Sequence, residues 1–86
     1  MKILWEECAW EDYCDWQTKD KRIVKRINAL IKDIQRNTYK GIGKPEPLKE
    51  NRNGWWSRRI DEEHRIVYRE KDGFIVIAAC RGHYEE

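Results

Sequence analysis

Long apolar runs are missing from this chain: no stretch approaches the ~18 consecutive apolar residues that a membrane-crossing helix needs. The basic-then-apolar pattern of a secretory signal is missing too, so the expectation is a soluble, cytoplasmic protein with no membrane partner. Cysteine is scarce and odd in number. Cys8, Cys14 and Cys80 form no C-x-x-C pair, and Cys8 and Cys14 stand roughly 120° apart on a helix, so reduced, mostly buried thiols are expected. No G-x-x-x-x-G-K-[ST] phosphate loop, zinc-ligand spacing or G-x-S-x-G elbow occurs, and neither a metal nor a cofactor is expected. Only two prolines are present, both in Pro45-Glu46-Pro47. No internal repeat or low-complexity segment is visible. Eighty-six residues suit a single domain, 1–86, with one modest core.

Charge, by contrast, is abundant. Charged residues make up 40% of the chain yet nearly cancel to a net +2, so their distribution says more than their balance. Residues 5–15 carry five acids and no base, whereas residues 40–81 carry ten Lys/Arg against seven Asp/Glu. That polarity suits an anionic partner on one side. Five tryptophans and a 40% hydrophobic fraction are enough for a compact unit.

Residues 2–5 predict a strand. Residues 6–16 predict a helix, with Ala9, Trp10, Tyr13 and Trp16 at helical spacing and Glu6, Glu7, Glu11 and Asp12 early, where negative charge complements the macrodipole. Thr18 or Asp20 can cap a second helix. Its apolar stripe is Ile23, Val24, Ile27, Leu30, Ile31 and Ile34; Lys21, Arg22, Lys25, Arg26 and Lys32 take the other face, which fits solvation or a nucleic acid. Between residues 37 and 54 the pattern breaks at Gly41, Gly43, Pro45, Pro47 and Gly54. Two prolines make this loop stiff and bias Lys44 and Glu46 toward extended backbone.

Residues 55–60, 64–70 and 74–80 predict three strands, joined at Asp61-Glu62-Glu63 and at a three-residue loop Lys71-Asp72-Gly73. Arg58, Arg59, Arg65, Arg69 and Arg81 interrupt the apolar runs, so one sheet face is expected to be core and the other a cationic working surface. With three residues in each loop, Arg59 faces Arg65 and Arg65 faces Ala79. Alternation then places Arg59, Arg65, Ala79, Arg81 and His83 on one face, and Ile60, Ile66, Tyr68 and Val76 on the other, toward the helices.

A braced carboxylate (Glu46), a strand arginine (Arg65) and a late histidine (His83) are the parts that RNA cleavage requires: a base for the 2′-OH, a cation for the phosphoryl charge and an acid for the leaving oxygen. Each residue has a plainer reading. Glu46 fits an exposed loop position, Arg65 a pairing with Glu62 or Glu63, and His83 a solvated tail. Trp55, Trp56 and Tyr84 fit packing as well as base stacking.

The stretches Asp20-Lys-Arg-Ile-Val-Lys, Gly43-Lys-Pro-Glu-Pro-Leu-Lys49, Trp56-Ser-Arg-Arg-Ile60, Glu63-His-Arg-Ile-Val-Tyr68, Ala78-Ala-Cys-Arg81 and His83-Tyr84 shift that balance. Over nearly its whole length the chain resembles the YoeB toxins of the RelE/ParE superfamily, ribosome-dependent mRNA interferases of type II toxin–antitoxin systems. The resemblance implies an α+β fold, with two N-terminal helices packed on one face of a twisted antiparallel sheet. It implies an endoribonuclease that cuts A-site mRNA on the ribosome, contacts ribosomal RNA, forms a homodimer and is held inactive by a YefM-like antitoxin. By position it makes Glu46 the general base, His83 the general acid and Arg65 the transition-state stabiliser, with Lys49, Arg59 and Tyr84 holding RNA or shaping the site. The family pattern usually stops at the tyrosine matching Tyr84, whereas this chain continues with Glu85-Glu86. The alternative is a non-catalytic ribosome- or antitoxin-binding protein on the same fold.

Overall fold

The computed structural model describes residues 1–82; His83 and Tyr84, two of the expected site residues, lie outside them. The described elements are strand β1 (Lys2–Trp5), helices α1 (Glu7–Lys19) and α2 (Lys21–Arg36), strand β2 (Glu46–Pro47), a 3-10 turn (Glu50–Arg52), and strands β3 (Trp56–Arg59), β4 (Arg65–Lys71) and β5 (Phe74–Ala79). The sheet order is β1-β5-β4-β3-β2. Strands β2 to β5 are antiparallel, and β1 joins β5 in parallel, which makes the sheet mixed. Both helices lie on one face, as expected.

The two helices meet at a single residue. Helix α1 runs past its expected end at Trp16 to Lys19, whose ammonium pairs with Asp15 at 2.8 Å, and Asp20 at φ −155° stops it. The same Asp20 caps α2, its Oδ1 accepting from the Arg22 amide at 3.0 Å. Such a cap is worth ~1 kcal/mol. Packing contributes far more. Ile27, Leu30 and Ile34 are fully buried against Ile66, Tyr68, Ile75, Ile77 and Cys80, and each large side chain so enclosed stabilises by about 1.5–3 kcal/mol. A smaller cluster on the opposite sheet face joins Leu48, Val67 and Ala79, with Trp55 and Ala78 packed against it.

The register differs from the expected one in an instructive way. Arg59 does face Arg65. The second turn has two residues, not three: Lys71 pairs with Phe74, and Asp72 and Gly73 both take left-handed backbone (φ 54° and 82°), as primed hairpin turns require. Alone, that one-residue shift would turn the far end of β5 over. A bulge between Val67 and Tyr68 reverses it, pairing Tyr68 with Ile77 but Val67 with Ala79. Ala79 therefore stays on the outer face, opposite Val67 rather than Arg65. Val76, expected toward the helices, faces Arg69 on the outer side, and Ile75 and Ile77 fill the core instead.

Two further expectations are corrected. Cys8 and Cys14 are exposed; only Cys80 is buried, where desolvation, aided by Asp12, pushes its thiol up to about 12. Lys44, though it precedes a proline, takes φ 52° rather than extended backbone. The Gly43 carbonyl is held by the Arg59 amide at 2.6 Å while Glu46 pairs with Ser57, and the reversal at Lys44 connects these two anchored points.

Arg58 is fully buried on the helix face. Its Nη1 donates to Asp33 Oδ2 (2.6 Å) and the Ile42 carbonyl (3.2 Å), and its Nη2 to the carbonyls of Asn37 (2.7 Å), Thr38 (3.4 Å) and Lys40 (3.0 Å). Its Nε donates to Tyr68 Oη at 3.1 Å, and that hydroxyl donates in turn to Thr38 O at 2.7 Å. Asp33 also accepts from the Ile42 amide at 2.9 Å. Gly41 (φ 132°) is required here because a Cβ would overlap the Asp33 carboxylate.

Arg58→Met is expected to lower stability by about 3–5 kcal/mol, read as a fall in the urea midpoint, because it takes the guanidinium from a carboxylate and four loop carbonyls, leaving Asp33 only the Ile42 amide and Thr38 only the Tyr68 hydroxyl. The Ile42 amide first, and then Arg58, hold the Asp33 carboxyl below its usual 3.8. A carboxyl depressed on folding contributes stability that is present above 3.8 and lost as pH falls through its lower folded value. The stability gap between the unaltered chain and Asp33→Asn should therefore narrow below pH 3.8; a constant gap down to pH 2 would refute the linkage.

Candidate active site

The outer face of the sheet carries a row of paired residues, Glu46–Ser57–Val67–Ala79, crossing β2 to β5. One rung further along lie Arg59 and Arg65. Strand pairing delivers Glu46 to this row, because its residue belongs to a short strand and not to a free loop. The Glu46 carboxylate accepts from Arg65 Nη1 at 3.1 Å, and the same nitrogen donates to Ser57 Oγ at 3.2 Å. The Arg65 side chain is 14% exposed and that of Glu46 52%. Arg65 is thus held from two sides and is mostly enclosed, while about half of the Glu46 side chain faces solvent. A carboxylate that can accept a proton sits beside a cation that can receive a phosphoryl oxygen.

The chain after β5 is fastened to the same place. Gly82 (φ 88°) donates its amide to His64 Nδ1 at 2.9 Å, and its carbonyl accepts from the Arg65 amide at 3.0 Å. His64 packs edge-on against Trp16, with ring centroids 4.9 Å apart, and the Trp16 indole donates to the Cys80 carbonyl at 3.0 Å. The loop before β4 is closed by Asp61, whose Oδ1 accepts from the amides of Glu63 and His64 at 2.8 and 2.7 Å.

Of the expected site residues, Glu46 and Arg65 touch, Arg59 adjoins them on the next strand, and Lys49 is exposed just before the 3-10 turn. His83 and Tyr84 lie outside the described residues. Arg81 departs from expectation. It turns away from the cationic face to pair with Asp15 (3.2 Å) and Asp12 (3.7 Å) on α1 and to stack on Trp16 at 5.0 Å. The cause is that β5 ends at Ala79, so alternation no longer governs position 81. Arg81 and Lys19 together hold Asp15 below the usual carboxylate range, Lys19 most strongly. Trp55 packs on the outer cluster with the Arg69 guanidinium 5.3 Å above its ring, and Trp56 on the inner core.

Sequence reasoning missed Ser57 and His64. Ser57 had a usable signal, since period two puts it on the face of Arg59. His64 had none, because its partner amide is 18 residues away across a loop whose closure only the fold reveals.

Compared with known proteins, residues 5–84 match the family model described as a YoeB-like toxin of bacterial type II toxin–antitoxin systems. The toxin YoeB of Escherichia coli K12 is 61% identical over 84 residues, covering 98% of this chain and 100% of that protein. Among solved structures, a YoeB dimer from Staphylococcus aureus superposes with TM-score 0.92 at 50% identity. The heterotetrameric YoeB–YefM toxin–antitoxin complex from the same organism gives 0.90, also at 50%. Each match covers 98% of this chain and 98% of its counterpart.

The Gly82 anchor is testable apart from any activity. His64→Leu should raise the exchange rate of the Gly82 amide by about threefold to tenfold, the loss of one hydrogen bond of ~0.5–1.5 kcal/mol. His64→Asn, which keeps an acceptor near Nδ1, should restore most of the protection. Equal exchange in all three chains, followed by NMR, would show that the imidazole holds nothing.

Proposed function

This chain belongs to the YoeB-like toxins of bacterial type II toxin–antitoxin systems, and from that premise we propose that it is an endoribonuclease that cuts messenger RNA in the ribosomal A site and so inhibits translation. The observation that carries the reading is the Glu46–Arg65 contact at 3.1 Å on the outer sheet face, beside a C-terminal segment bonded to the Arg65 backbone. Glu46 takes the proton from a ribose 2′-OH, and the freed oxygen attacks the adjacent phosphorus in line. The P–O5′ bond breaks, His83 gives its proton to the departing oxygen, and the products are a 2′,3′-cyclic phosphate and a 5′-OH. These steps call on no metal, because Glu46, His83 and Arg65 fill the base, acid and charge-stabilising roles. Arg65 steadies the charge that builds on the phosphoryl oxygens. Lys49 and Arg59 hold flanking phosphates, and Tyr84 shapes the site.

The chain acts in the cytoplasm as one domain and pairs with a second copy, as its S. aureus relative does. A YefM-like antitoxin restrains it, in keeping with the S. aureus complex. No described helix is long and apolar enough to cross a membrane. The competing reading is a toxin that blocks the ribosome, or only pairs with an antitoxin, without cutting.

Single-turnover cleavage of mRNA on purified ribosomes decides between them. Glu46→Gln and His83→Ala should each slow cutting by about 10²–10⁴-fold, and Arg65→Ala by about 10²–10³-fold, with ribosome binding nearly unchanged. A 2′-deoxy substitution at the scissile nucleotide should abolish cutting. Arrested translation over intact mRNA would establish the blocking alternative.

A further inference from the structure

The active-site face leaves one strongly charged surface unused. Lys21, Lys25, Lys32 and Arg36 are exposed on α2. At 3.6 residues per turn they fall within a sector of about 60°, pointing away from buried Ile23, Ile27, Leu30 and Ile34. Along the axis the stripe runs about 22 Å at 1.5 Å per residue. The helix holds a single acid, Asp33, and Arg58 and the Ile42 amide already occupy it. Among the described residues no salt bridge joins any of the four stripe cations to an acid, whereas Lys19, Arg65 and Arg81 are each paired.

Helix α2 carries six of the chain's 18 bases but one of its 16 acids, leaving 12 bases against 15 acids elsewhere. The protein's positive character resides in this helix. The stripe is also remote from the Glu46–Arg65 site: α2 covers the inner sheet face, and the site lies on the outer one. One RNA strand threaded through the site does not reach both.

We propose that the outer face of α2 is a second RNA-binding surface, a row of cations that grips the phosphate backbone of structured ribosomal RNA while the opposite face holds the message. The inference rests on the ribosome-dependent reading above. Its chemistry is non-specific: lysine and arginine meet phosphates, counterions are released, and affinity falls as salt rises. Each stripe cation in contact with a phosphate adds about 0.7–0.9 to the slope of log K against log salt. The stripe thus serves delivery to the ribosome and leaves the chemical step alone.

The test measures binding, not cleavage. The full-length chain is titrated onto ribosomes programmed with mRNA that is 2′-deoxy at the A-site codon, at roughly 50 to 200 mM KCl. Two double variants remove equal charge, Lys25→Gln/Lys32→Gln on the stripe and Lys2→Gln/Lys71→Gln away from it. The stripe pair should lower affinity roughly fivefold to tenfold near 100 mM and flatten the salt slope by about 1.5. The control pair should move the slope by less than a third as much, and Lys25→Arg/Lys32→Arg should bind as the unaltered chain does. Glutamine is a good helix former, and matched urea midpoints verify that the fold is retained. Equal effects from the two glutamine pairs would reduce the stripe to net charge and overturn the proposal. So would unchanged ribosome affinity with weakened antitoxin binding, which would assign α2 to a protein partner. Failure of the unaltered chain to cut all-ribose mRNA would instead overturn the nuclease reading, with the binding comparison still intact.

Discussion

A guanidinium with no access to water is the constraint on which this small fold depends. Removing Arg58 from solvent costs several kcal/mol, and from the inner core only the Tyr68 hydroxyl bonds to it. The cost is met because residues 37–42 fold around the charge, giving it carbonyls from Asn37, Thr38, Lys40 and Ile42 and the Asp33 carboxylate. Tyr68 completes the shell; burial pushes its phenol above its usual 10.0. The dependence runs both ways. The loop's large apolar side chains, Tyr39 and Ile42, stay largely exposed and bury little, so without the charge at its centre its backbone would have little reason to choose one path.

That path matters because of where it leads. The loop hands the chain to Gly43, whose carbonyl takes the Arg59 amide, and then to Glu46, which pairs with Ser57. Arg58 and Ser57 are neighbours on β3 that point to opposite faces, so one strand organises the loop from the inside and receives its product on the outside. Arg65 plays the matching part on the outer face. Its side chain meets Glu46 and Ser57, and its amide meets the Gly82 carbonyl, so the two ends of the site converge on one residue.

Legibility in the sequence followed the range of the physics. The α2 stripe, a cap at Thr18 or Asp20 and the Arg59–Arg65 rung are readable, because periodicity and short loops are local; the structure selects Asp20. The family motifs supplied Glu46 and Arg65 as a pair, and the coordinates place them 3.1 Å apart. What was not readable depended on distant partners. Period two puts Arg58 on the face of Ile60, but nothing near it in the sequence shows what would satisfy a charge there, since Asp33 lies 25 residues away. The turn length was misjudged because Asp72 can adopt left-handed backbone as Gly73 does, and the bulge that repairs the register has no sequence mark of its own. Alternation would keep Arg81 on the outer face only if β5 continued, and the strand ends at Ala79.

The arrangement also explains how so short a chain can carry several tasks at once. A five-stranded sheet has two faces, and the helices commit only one of them to the core. The outer cluster of Leu48, Val67 and Ala79 is small, and its residues continue directly into the Glu46–Arg65 rungs. Little of the outer face is therefore needed for stability, and polar residues there cost little because the core is closed elsewhere. Arg58 is the exception that permits the rest. It faces the core and converts a charge into the anchor of a loop, and the loop's far end is the carboxylate on the open side. Fold and site are joined through the backbone of β3, so a change at the buried arginine should be felt at Glu46 without any contact between the two side chains.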